Sequence, residues 1–100
     1  MNLFISYTMN DGIITIEKLH SLKYFLDKKH NVFIHAIESK KRNIGQEEVI
    51  QELINSDVII LLFTEGCLNS RWVNLELEIG NHCNIPIITV DAKNSTFDKS

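Results

Sequence analysis

The sequence predicts an α/β domain built on a doubly wound parallel sheet in the order βαβαβαβ, four strands and three helices. Short β-rich runs alternate with segments whose apolar residues recur at helical spacing. The run Val58-Ile59-Ile60-Leu61-Leu62-Phe63 is apolar on both faces, as a central parallel strand covered by helices on each side must be. Connections are short, which with parallel pairing implies right-handed crossovers and a functional crevice beyond the carboxyl ends of the strands.

The first strand is expected over Asn2–Ser6. A helix follows over Ile13–Lys29, where Ile16, Leu19, Leu22, Phe25 and Leu26 make an apolar face and Glu17, Lys18, Lys23 and Lys28 a polar one. The second strand spans Asn31–His35. The second helix runs over Gln46–Asn55, announced by Asn43 with Gln46 three residues on, and carries Val49, Ile50, Leu53 and Ile54 as its stripe. Val58–Thr64 is the middle strand, Ser70–His82 the third helix and Pro86–Val90 the last strand. The crevice should therefore be rimmed by Ser6-Tyr7, His35-Ala36, Thr64-Glu65 and Asp91.

Composition limits the function classes. One hundred residues, 44% apolar and 23% charged, describe one domain with one core. A net charge of −3 and a single short basic cluster, Lys40-Lys41-Arg42, give no footprint for nucleic acid. No apolar run approaches the roughly 18 to 20 residues of a membrane span, and the start lacks a signal peptide's basic and long apolar regions, so the expected setting is the cytoplasm. Cys67 and Cys83 stand in no paired motif and read as reduced structural thiols; His82-Cys83 is too sparse for a metal site.

The strongest chemical signal lies in the third helix. Projected at about 100° per residue, Trp72, Val73, Leu75, Leu77, Ile79 and Cys83 share a broad apolar arc, and Glu76 falls inside it, roughly 40° from Trp72. Glu78 points with Asn74, Asn81 and His82 toward water. A carboxylate withdrawn from solvent needs a partner, a raised pKa or a ligand, which makes Glu76 a candidate functional group. The plainer alternative is a Glu at the core edge, paired with Arg71 or Lys93.

Phe4-Ile5-Ser6-Tyr7 followed by Asp11, and the later Asn69-Ser70-Arg71-Trp72-Val73-Asn74-Leu75-Glu76, together resemble the two signature regions of the TIR (Toll/interleukin-1 receptor) domain family, in its bacterial immune-type form. Their order and spacing carry the resemblance, which covers essentially residues 1–91; 92–100 read as a polar C-terminal tail. It implies a flavodoxin-like fold. In the family's catalytic branch it further implies cleavage of NAD+ at the nicotinamide–ribose bond, with NAD+ as substrate and no cofactor or metal. Glu76 would be the catalytic carboxylate, stabilising an oxocarbenium-like ribose or holding its hydroxyls. Trp72, one turn earlier on the same face, would stack on nicotinamide or wall off the ribose, or serve the core alone. Ser6, Tyr7 and Asp11 would contact the ribose or adenine side; Ser6 has the alternative of capping the turn, and Asp11-Gly12 is also a turn and helix-entry signal.

Ala36–Gly45 occupies the position of the loop that mediates TIR–TIR assembly in relatives. Polar here, it is open to three readings: an adaptable lid, an assembly contact, or a solvated connection; a contact from its basic cluster to substrate phosphates is a further one. The chain stops soon after Val90, short of the family's usual fifth strand and last helix, so either the domain is abbreviated or the sequence is truncated; a four-stranded sheet would leave Pro86–Val90 as an edge open to dimerisation, its start blunted by Pro86. Two function classes remain. One is an NAD+-consuming enzyme of antiphage defence that depletes NAD+ or makes a nucleotide signal for a separate effector. The other is a non-catalytic TIR interaction module. An FMN-binding or receiver domain fits less well, since no phosphate loop follows the first strand and no acidic cluster is present.

Overall fold

The computed structural model describes residues 1–92. Four strands, β1 (Asn2–Ser6), β2 (Asn31–Phe33), β3 (Val58–Phe63) and β4 (Ile87–Asp91), form one fully parallel sheet in the order β2-β1-β3-β4. This is the flavodoxin-like doubly wound order, with β1 and β3 flanking the point where the winding reverses. The helices are α1 (Ile16–Leu26), α2 (His35–Lys41), α3 (Gln46–Ile54) and α4 (Arg71–His82), and a short 3-10 helix (Glu65–Asn69) leads from β3 into α4.

Strand side chains alternate between faces, and that alternation divides the core. Leu3 and Ile5 of β1, with Leu62 of β3, pack with Leu19 and Leu22 of α1 and Ile37 of α2. Phe4 and Ile59 face the other way, with Val49 and Leu53 of α3 and partly buried Trp72, Leu77 and Ile79 of α4. Phe4 stacks on Phe33 with ring centroids 5.4 Å apart. Each such side chain contributes on the order of 1.5–3 kcal/mol when fully buried. Ser6, two residues beyond Phe4, shares its face and so points at α4.

Capping sets the helix starts. The Thr15 side chain accepts from Lys18 N–H at the head of α1, and Ser70 accepts from Val73 N–H at the head of α4. The predicted Asn43 cap is not used: Gly45 precedes α3 in extended conformation and makes no side-chain cap, which trims the predicted capping signal to coincidence. The first helix is also shorter at both ends than its apolar periodicity suggested, and Phe25 is exposed.

The largest departure from the sequence reading is α2. The second strand ends at Phe33, and the segment read as a polar loop begins instead with a seven-residue helix, giving four helices rather than three. Ile37 is its one buried residue, so the segment carries no apolar period long enough to announce a helix. The tail expected over 92–100 lies outside the described residues except at Ala92, which is fully buried and donates its N–H to Phe63 O at 3.0 Å.

Candidate functional site

Along α4 the buried row is Val73, Glu76 and Gly80. The sequence arc thus has its centre at Glu76 rather than its rim, and Cys83, placed in that arc, is exposed. Glu76 is only 5% exposed. Ser6 Oγ donates to Glu76 Oε1 at 2.9 Å, and none of the ion pairs among the described residues, Arg71 included, involves Glu76, while Lys93 lies outside the described residues. Burial pushes its carboxyl up to about 7 from an ordinary value of 4.5; hydrogen bonding from Ser6 and, to a lesser extent, from Trp72 favours the charged form and limits that rise. Glu76 is therefore a desolvated carboxyl held by neutral donors, poised to change charge near neutral pH.

Glu76 opens onto a cleft of about 320 Å³ at the carboxyl end of β1, beside the reversal point of the sheet. Tyr7, Thr8, Met9 and Asn10 line it from the segment after β1, Ser70 and Trp72 from the head of α4, and His35 from the start of α2. The volume sits at the lower end of the roughly 300–1,000 Å³ typical of small-molecule sites, enough for a nucleoside-sized group.

Of the residues singled out in the sequence, Ser6, Tyr7, Trp72 and Glu76 come together here. Tyr7 lines the cleft while its hydroxyl accepts the Ala36 N–H at 2.9 Å; burial, more than any charge, raises its pKa. Asp11 is employed differently. Its Oδ1 accepts from Ile13 N–H at 3.2 Å and its Oδ2 from Gly66 N–H at 2.8 Å, clasping the β1–α1 loop to the 3-10 helix. The Thr64 hydroxyl beside it, then these two backbone donors, hold its carboxyl below the ordinary value. A Cβ on Gly66 would fall 2.6 Å from Asp11 Oδ2, so the clasp requires glycine there.

Thr8, Met9, Asn10 and Ser70 are cleft residues that the sequence did not single out as such, whereas His35 lies where the crevice rim was expected. These four belong to a loop and a cap whose side chains have no chemical signature. The Lys40-Lys41-Arg42 cluster lies elsewhere. Lys41 sits 3.8 Å from Glu38, Arg42 pairs with Glu48, and Arg42 lines a separate depression at the amino end of the sheet with Asn2, Asn31 and Glu52. No group of three or more His, Cys, Asp or Glu among the described residues is arranged to hold a metal, and no helix among them is long and apolar enough to cross a membrane.

A parallel 2-1-3-4 sheet with a desolvated helix carboxyl at its reversal point, following a Trp one turn earlier, defines a TIR-like domain. Residues 4–96 match the family described as Thoeris protein ThsB, TIR-like domain, and the chain belongs to that family of bacterial anti-phage domains. No curated protein and no solved structure matches it.

Proposed function

We propose that this domain cleaves NAD+ at the bond between nicotinamide and ribose, with Glu76 as the catalytic carboxylate. The observation that carries this reading is the buried Glu76 carboxyl opening onto a cleft walled by Trp72 and Tyr7. When the C1′–N bond breaks, its electron pair leaves with nicotinamide and positive charge develops on the ribose. An ionised Glu76 stabilises that charge in a site of low dielectric, where it acts more strongly than in water. The cationic nicotinamide itself favours ionised Glu76 on binding, drawing its pKa down from about 7. Water, or a hydroxyl of the same nucleotide, then bonds to C1′ through oxygen and gives up its proton. Trp72 supplies an apolar wall that keeps solvent from the developing cation.

Family membership supports a role in anti-phage defence, exercised through NAD+ depletion or through a nucleotide product read by a separate effector. The test is to incubate concentrated protein with NAD+ and separate nicotinamide and ADP-ribose products by chromatography, with Glu76→Gln alongside. Nicotinamide release by the native chain and its loss in the variant are expected. Native protein that neither binds nor cleaves NAD+ at any concentration would sink the reading.

One observation favours the interaction-module alternative. Ile88, on edge strand β4, is 53% exposed, and Leu68, after β3, is 63% exposed. Self-association through the β4 edge accommodates Ile88 and is compatible with catalysis; sedimentation of the native chain against Ile88→Lys measures it.

A further inference from the structure

The reactive half of a dinucleotide carries opposite charges at its two ends, a cationic nicotinamide riboside and an anionic diphosphate. Glu76 answers the first. Among the described residues lining the cleft, His35 is the one side chain able to carry positive charge. Of the basic cluster that sequence reading offered to the phosphates, Lys40, Lys41 and Arg42, none lines the cleft; Lys41 lies near Glu38 and Arg42 pairs with Glu48.

His35 is also held in place. It follows Ile34, which is fully buried, and precedes Ala36, whose N–H is bound by the Tyr7 hydroxyl at 2.9 Å. Its backbone is thereby fixed at two adjacent points while its side chain stays half-buried at the cleft wall. An imidazole has an N–H to donate to an anionic oxygen whether neutral or protonated. We infer that His35 is the diphosphate contact of this site and that Tyr7 is its positioning residue, an inference that rests on the NAD+ reading above. The His35 imidazole N–H and the Glu76 carboxyl then orient the dinucleotide between them. The diphosphate lies toward β2 and α2, and the scissile bond toward α4.

The experiment pairs ligands that differ by the diphosphate. ADP and adenosine contain no scissile nicotinamide bond, so titration calorimetry with each reads binding independently of catalysis. His35→Ala should weaken ADP binding about tenfold, the scale of a lost charge-assisted hydrogen bond, with a smaller change for adenosine. His35→Lys should recover most of the loss, and thermal melting checks that both variants fold. On turnover, the ratio of kcat/KM for NAD+ to that for nicotinamide riboside should fall by a similar factor in His35→Ala. Unchanged ADP affinity in His35→Ala, equal losses for ADP and adenosine, or no ADP binding by the native chain would each overturn the assignment. If ADP binding depends on His35 but NAD+ is never cleaved, the enzyme reading fails and the anion contact stands; cleavage indifferent to His35 gives the reverse.

Discussion

Ser6 Oγ donates a 2.9 Å hydrogen bond to Glu76 Oε1, joining the end of β1 to the middle of α4 across 70 positions of sequence. The pair exists because strand alternation turns Ser6 toward the α4 side of the sheet and helical periodicity turns Glu76 toward β1. Burial raises the Glu76 carboxyl to about 7, and this bond favours its ionised form and limits the rise.

We predict that kcat/KM for nicotinamide release rises with pH with a midpoint near the Glu76 value of about 7, since that ratio reports ionisation in the free enzyme. Ser6→Ala removes a donor that favours the charged form, so its midpoint should lie higher than the native one. Rate profiles measured between about pH 5 and pH 9 decide this; superimposable native and Ser6→Ala midpoints would separate the hydrogen bond from the titration.

Glu76 should also make stability fall with pH. Its folded value of about 7 lies above its ordinary 4.5, so between those values the folded state holds a proton that the unfolded chain has released. Stability associated with this group is present below about pH 4.5 and is lost as pH rises through about 7, by up to about 3 kcal/mol. Glu76→Gln cannot ionise and should melt several degrees above the native chain at about pH 8, with the gap closing near pH 5. Melting curves across that window check the sign, and a gap independent of pH would contradict it.

The Asp11–Gly66 clasp should resist even a methyl group. Gly66→Ala places Cβ against Asp11 Oδ2 and Cγ and is expected to cost about 1–3 kcal/mol. Combining it with Asp11→Ala removes the two shortest contacts and leaves only Asp11 Cβ, 3.1 Å away, so the two costs should be non-additive in a double-mutant cycle measured by denaturant unfolding. Additive costs would mean that the clasp does not bear on folding.

Gly80 poses a contest between two effects. Alanine gains about 1 kcal/mol of helix propensity, but a Cβ there would run into Ile59 Cδ1, and overpacking costs about 1–3 kcal/mol. Net destabilisation of Gly80→Ala is expected. Ile59→Val deletes that Cδ1 atom, so in its background Gly80→Ala should be much better tolerated; a Gly80→Ala penalty undiminished by Ile59→Val would point to another obstruction.

How much of this was legible depended on the length of each signal. Val58–Phe63 read as the middle strand because six apolar residues have no other home in a chain this size, and α4 read as a helix because twelve residues give its period three turns. Glu76 stood out by breaking that period. His35–Lys41 was invisible as a helix since it buries only Ile37. The partner of Glu76 could not be read either: Ser6 sits at a strand end where a turn cap and a buried donor look alike, and only the β1–β3 register with α4 laid across it distinguishes them. Asp11 matched a turn signal and a motif at once, and its carboxylate reaches Gly66 through a contact between loops that no local pattern encodes.

The distance along the chain between Ser6 and Glu76 has a consequence for the order of events during synthesis and folding. Both inner strands and the last helix must be in place before the carboxyl at position 76 leaves water, since its burial depends on β1 contributing Ser6 and α4 docking over that strand. Contacts so remote in sequence form late, after loop closure has been overcome. A nascent or partly unfolded chain therefore carries an ordinary solvated glutamate, and the unusual acidity on which the site depends arrives only with the finished tertiary structure.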